Sequence, residues 1–182
     1  GVVYELRQTE SGGLFISSKQ GCLEFSPANI NVPKAATALA AAQEAYKLGD
    51  QLADGSIYVG LSAMNGKPLV TTAKDIGIFN HRDAIKAVAE LNRDYGGGWR
   101  LPTGYWNDTG DELNGNLFEN RNKGALAGTF NLTGANPAGY YWAAEHNDNG
   151  AACQQFSGGD RGYPYRTSLS SVRPVRELPI RI

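Results

Sequence analysis

The sequence predicts an α+β fold, and three observations carry that prediction. Two segments, 33–49 and 80–95, combine strong helix formers with recognisable stops. Between them lies a pair of β-prone runs joined by Asn65-Gly66, and beyond Gly96-Gly97-Gly98 the chain is short apolar or aromatic pieces spaced by Gly, Asn, Asp and Pro. A helical period confined to two segments, with strand and turn signals elsewhere, points to helices packed beside an antiparallel sheet.

In chain order, Val2 to Phe25 holds the β-prone runs "VVYEL", "GLFISS" and "CLEF", with Gly12-Gly13 between the first two, and reads as a hairpin or small meander. After Pro33, which suits a first helical turn, "KAATALAAAQEAYKLGD" predicts a helix ending at Gly49. Its stripe of Leu39, Ala42, Tyr46 and Leu48 is flat, able to dock on its own domain or on other copies of the chain. "GSIYVGLSAMNGKPLVTT" predicts a hairpin, because Asn-Gly tolerates positive φ at both turn positions. Asn80 is placed as an N-cap, with Asp83 three residues on, for a helix whose Ala84, Val88 and Leu91 share a face and which stops at the triple glycine. One more helix candidate, "DELNGNLFENRN", interrupts what should otherwise be loop-rich β structure. The expected division is an N-terminal β segment plus helix over 1–53, serving oligomerisation, and a ligand-binding domain over 54–182.

With 182 residues the chain suits one core and a short appendage, and its 23 glycines approach twice the average share of about 7%. The net charge of −1 gives no basic field for nucleic acid, and no apolar run of about 18 residues would cross a bilayer. No nucleic-acid partner and no membrane insertion are expected. The opening Gly-Val-Val-Tyr-Glu-Leu-Arg lacks the features of a signal peptide, and the leading Gly is expected to mark a trimmed or processed chain. Cys22 and Cys153 match no CxxC spacing and are expected to be separate buried thiols.

Catalytic constellations are missing. Histidine occurs only at His81 and His146, and HExxH, GxSxG, GxxxxGK[ST] and GxGxxG are all absent, so neither an enzyme nor a cofactor is expected. Asp108, Asp111 and Glu112 could offer oxygens to Ca²⁺, but without EF-hand spacing a solvated turn is the preferred reading and no metal is assigned. Recognition chemistry is better represented. Tyr, Trp and Phe are scattered through 105–165 among Gly, Ser, Asn, Asp, Gln and Arg, the mixture that binding loops use. Trp99, Phe118, Phe130, Trp142 and Phe156 are assigned to the core; Tyr163 and Tyr165, inside "GGDRGYPYRTS", are expected to be exposed. Five arginines (161, 166, 173, 176 and 181) face only two acids, Asp160 and Glu177, between Cys153 and Ile182, and Arg beside Tyr suits carboxylated or sulfated ligands. Ordinary surface arginines are the alternative, with Arg173 and Arg176 open to a structural role.

The ordered segments "GGGWRLPT", "ELNGNLFENRNKGALAGTFNLTGANPAGYYWAAE" and "QQFSGGDRGYPYRTSLSSVRPVR" resemble the C-terminal domain family of the Legionella collagen-like adhesin, over about Asp54 to Arg176. The resemblance implies a C-type-lectin-like fold: two helices, a small twisted antiparallel sheet and long ligand-binding loops. The same fold is used by variable receptor-binding proteins of diversity-generating retroelements, whose similar "YW…VRPVR" ends bracket their variable surface. It further implies that Trp99 and Leu101 plug the core, that Arg100 ties a loop and that Pro102 fixes the exit. The Glu-Pro-Asn or Gln-Pro-Asp triplet of calcium-dependent lectins is missing.

On that resemblance the expected function is a non-enzymatic adhesin or receptor-binding module at a bacterial cell surface or on a virion, acting as a homotrimer on a glycan or protein receptor. An anionic glycan is the first choice. The ligand-binding residues are expected to be His146, Asn147, Asp148 and Asn149 in one loop, Asp160, Arg161, Tyr163, Tyr165 and Arg166 in another, and Gln155 between them. The alternatives are a phage-tail or retroelement-diversified binder of a protein, and an oxidase of the formylglycine-generating type, whose cysteine arrangement Cys22 and Cys153 do not obviously provide.

Overall fold

The computed structural model describes residues 5–8, 14–18, 21–25, 46–104, 110–133 and 139–178. The chain divides into two compact units, Gly1–Ala40 and Ala41–Ile182. The first contains an antiparallel meander of β1 (Glu5–Gln8), β2 (Leu14–Ser18) and β3 (Gly21–Phe25), in that order, as the β-prone runs predict. The helix expected over 33–49 lies outside the described residues up to 45, as do its Leu39 and Ala42, and its expected last turn, 46–49, is not helical but an irregular turn.

The second unit is α+β. Its strands are β4 (Ile57–Leu61), β5 (Pro68–Thr71), β6 (Gly77–Phe79), β7 (Tyr140–His146), β8 (Ala151–Gln155), β9 (Arg161–Gly162), β10 (Ser170–Val172) and β11 (Val175–Glu177). They form a sheet ordered β6-β10-β7-β8-β9 and a smaller one ordered β11-β5-β4, so the last strand closes back onto the first hairpin. Among the described strands only the β10–β7 pair is parallel.

The helix α1 (His81–Tyr95) starts as its sequence dictates. Asn80 is extended and its Oδ1 accepts from Asp83 N at 3.0 Å, while its Nδ2 donates to Asp83 Oδ2 at 2.7 Å. The helix ends at Gly96, and Ala84, Val88 and Leu91 face inward. They meet Trp99, Leu101, Trp142, Cys153 and Val172 in one core cluster; a second gathers Leu69, Leu113, Leu117, Phe130, Tyr141 and Phe156. All five rings assigned to the core pack there, Phe118 only partly buried.

Two local expectations need correction. The β4–β5 hairpin forms, but not through a two-residue turn with positive φ at Asn65. Only Gly66 is left-handed (φ +71), and the loop spans Ser62 to Lys67, closed by Ser62 N on Lys67 O at 2.7 Å. Asn65 instead accepts from Lys67 N and donates across to Glu177 at 2.8 Å, a long-range bond that overrides the local turn preference. The second correction concerns "DELNGNLFENRN", which yields a single π-helical turn, Leu113–Phe118, rather than a regular helix. Asn116 explains the wide turn: its Nδ2 reaches over to Val59 O (2.9 Å) and Leu61 O (2.8 Å), pairing carbonyls on the free edge of β4.

Candidate functional site

The frame beneath the C-terminal loops is held by two buried ionic networks. Arg100 forks onto Glu112, with Nη1 at 2.5 Å from Oε2 and Nη2 at 2.8 Å from Oε1, while Ser62 Oγ and Thr103 N also donate to that fully buried carboxylate. Burial alone would raise the Glu112 pKa, but the bonds from Arg100, Ser62 and Thr103 outweigh it and hold the group below its usual value. Arg173, fully buried, donates to Asp75, Ala73 O, Thr129 O and Thr129 Oγ1, and its guanidinium lies over the Phe130 ring. Tyr141 completes this set by donating to Asp75 at 2.8 Å and accepting from Asn131 N. Arg176 pairs with Asp54 and covers Trp99. Arg173 and Arg176 are therefore structural, and Arg100 ties the loop around Thr103 in the way expected of it.

On this frame sits the tip of the β7–β8 hairpin, where His146, Asn147, Asp148 and Asn149 are all exposed. Asn147 shapes the tip by accepting from the N–H groups of Asn149 and Gly150 through Oδ1. Against it runs the segment 163–166, tied strand-like by Ala151 N to Pro164 O (3.1 Å) and Arg166 N to Asn149 O (2.9 Å). Arg166 is fixed from its other side too, because His81 N at the start of α1 donates to Arg166 O at 3.0 Å. Below the tip the rings of His146, His81 and Trp142 follow one another, at 4.9 and 5.3 Å between centroids.

Tyr165 is the most exposed large hydrophobic side chain among the described residues, at 74%. Tyr163 is not exposed as expected. It is half-buried against the core, and its ring crosses Gly150 so closely that a Cβ there would lie 2.5 Å from it. A glycine far along the hairpin makes the room that the polar neighbours of Tyr163 could not reveal.

The predicted binding residues fall into two groups. His146, Asn147, Asp148, Asn149, Tyr165 and Arg166 gather at the tip. Gln155, Asp160 and Arg161 lie at the other end of β8, where Gln155 N donates to Asp160 O and Gln154 pairs with Arg161. Five residues of strand separate them, on the order of 15 Å. The arginines differ accordingly. Arg161 pairs with Asp111 at 3.1 Å. Arg166 has no carboxylate partner among the described residues; its Nη1 makes one long bond, 3.4 Å, to Asn147 O, and its Nε is buried without an acceptor.

The possible calcium oxygens are otherwise engaged: Glu112 as above, and Asp111 by Arg161 and Asn114 N, while Asp108 lies outside the described residues. Among the described residues no group of three or more His, Cys, Asp or Glu is placed to hold a metal ion. Cys153 carries a free, buried thiol whose pKa burial pushes up to about 12, so it stays protonated and unreactive at neutral pH.

A feature that sequence reasoning missed is a hollow of about 380 Å³ beside the 163–166 segment, lined by Tyr140, Cys153, Gly162, Tyr163, Pro164, Ser168 and Ser170. Its only local signal is the hydroxyl-rich run "YPYRTSLSS". A second, larger and more apolar groove of about 510 Å³ runs along α1 past Met64, Ile85 and Trp99.

No protein-family model matches the chain, and no curated protein is significantly similar to it. Among the described residues no helix is long and apolar enough to cross a membrane.

Proposed function

We propose that this chain is a non-enzymatic recognition module with a C-type-lectin-like domain, an adhesin that grips an anionic glycan at a cell surface through the loops at 146–149 and 163–166. One observation carries the reading: Tyr165, largely exposed, adjoins in sequence an arginine that lacks a carboxylate among the described residues, on a segment whose backbone is bonded to the hairpin tip on one side and to α1 on the other. A segment whose backbone is already fixed spares the cost of ordering the loop when its guanidinium meets a sulfate or carboxylate, and the open ring of the adjoining residue can lie against a sugar face. The return of β11 to the first hairpin supports the lectin-like reading, together with the family resemblance of the 54–176 stretch. The same resemblance makes a homotrimer the proposed assembly, in which weak single sites gain about 10² to 10⁴ in avidity.

Tyr165 serves a protein-binding virion module equally well, and salt separates the two readings. On immobilised heparin, the glycan reading expects elution at raised salt, shifted to clearly lower salt by Arg166→Ala and less by Arg161→Ala, whose charge Asp111 already neutralises. Failure of the unaltered protein to bind any sulfated or carboxylated glycan would remove that reading and favour a protein receptor. The inert Cys153 thiol weighs against an oxidase.

A further inference from the structure

The hollow beside the tip has its own chemistry, distinct from the charged rim. Two phenol rings, Tyr140 and Tyr163, and the Pro164 ring supply flat apolar walls, and no charged side chain lines it among the described residues. Ser168 and Ser170 supply hydroxyls. Neither hydroxyl has a hydrogen-bond partner among the described residues, and Ser170, in β10, is only 2% exposed. At Gly162 a Cβ would make only ordinary contacts, with Cys153 Sγ at 3.5 Å and Pro164 Cδ at 3.8 Å. A volume of about 380 Å³ falls within the roughly 300–1,000 Å³ range of small-ligand sites.

We propose that this hollow seats a single uncharged sugar ring, with Tyr163 or Tyr140 against its C–H face and the Ser168 and Ser170 hydroxyls paired with its hydroxyl groups. An apolar face rimmed with alternating donors and acceptors is what a pyranose presents, and a serine hydroxyl can serve as either donor or acceptor. A carboxylate or sulfate inside the hollow would lose hydration and meet no cation, so the ring there is neutral while anionic groups of the same chain extend toward Arg166. This assignment rests on the reading of the neighbouring loops as a glycan-binding surface. It divides that surface into a neutral inner seat and a charged rim.

The test titrates the intact protein with a panel of neutral methyl glycosides (galactoside, glucoside, mannoside, fucoside and N-acetylgalactosaminide), following amide and aromatic NMR shifts in low and high salt. At least one glycoside should shift Gly162, Ser168 and Ser170 together, with an affinity independent of salt. Ser168→Ala, on a half-exposed loop position, should weaken it roughly five- to tenfold, the effect of one lost hydrogen bond. Ser168→Phe, which fills the mouth, should abolish it, while both variants keep the remaining amide spectrum and the heparin elution of the unaltered protein. If no glycoside shifts these residues, or if Ser168→Phe leaves binding intact, the seat is refuted. Retained heparin binding in that event leaves the rim reading standing, whereas glycoside binding without heparin binding would do the reverse.

Discussion

Glu112 shows how a single residue can carry a loop. Its carboxylate takes hydrogen bonds from Arg100, Ser62 and Thr103, so Glu112→Gln removes the charge from a fully buried site and leaves Arg100 only its longer contact to Glu177, at 3.5 Å. The expected cost is about 3 kcal/mol, at the low end for a broken buried pair because Arg100 is partly exposed; urea unfolding checks it. Since the folded pKa lies below the unfolded one, this stabilisation is present above about pH 4.5 and is lost as acid protonates the folded carboxylate. His81 shifts stability in the same direction through a different cause. Burial lowers its pKa, and the Ala143 carbonyl at Nε2 requires the neutral ring to carry its proton there, leaving Nδ1 buried without a partner. Below the usual imidazole value of 6.5 the unfolded chain takes up a proton that the folded one resists, so stability falls as pH drops below about 6.5. A His81→Gln variant, still able to donate to Ala143 O, should show a smaller drop in Tm between pH 7 and pH 5.5 than the unaltered protein. An equal drop would remove His81 from the account.

The elements differ in how openly the sequence announces them. The start and stop of α1 are local signals, Asn80 with Asp83 and then Gly96, and the inward face of Ala84, Val88 and Leu91 follows from helical spacing alone. Asn80→Ala should accordingly cost about 1 kcal/mol, measurable as a shift in denaturation midpoint without a change in slope. The Ser62–Lys67 loop and the π-helical turn at Leu113–Phe118 were not legible, because partners far along the chain decide them: Glu177 for Asn65, and Val59 and Leu61 for Asn116. Asn116→Leu keeps the bulk of that side chain but strands two strand-edge carbonyls, and should destabilise by about 1–3 kcal/mol. Arg173 and Asp75 make the same point across 98 positions: composition suggested a structural arginine, but only folding reveals its carboxylate.

For the whole molecule, the sequence placed the candidate binding residues near the chain's end but not their arrangement. Tyr165 and Arg166 meet the hairpin tip, Tyr163 turns inward across Gly150, and Arg161 lies an entire strand away beside Asp111. Cross-strand pairing sets this division, and no linear reading of "GGDRGYPYRTS" contains it. The arrangement predicts a length dependence. Short sulfated oligosaccharides should respond to Arg166→Ala alone, while chains long enough to span the two ends of β8 should respond to Arg161→Ala as well; calorimetry with size-defined heparin fragments reads this directly. The central claim, that an exposed ring and its neighbouring guanidinium grip something outside a rigid frame, is tested most directly by Tyr165→Ala measured in parallel for Tm and for affinity to a sulfated glycan. The account predicts a Tm unchanged within error and an affinity lowered at least about tenfold, the loss of a contact worth about 1.4 kcal/mol; an unchanged affinity with the fold intact would contradict it.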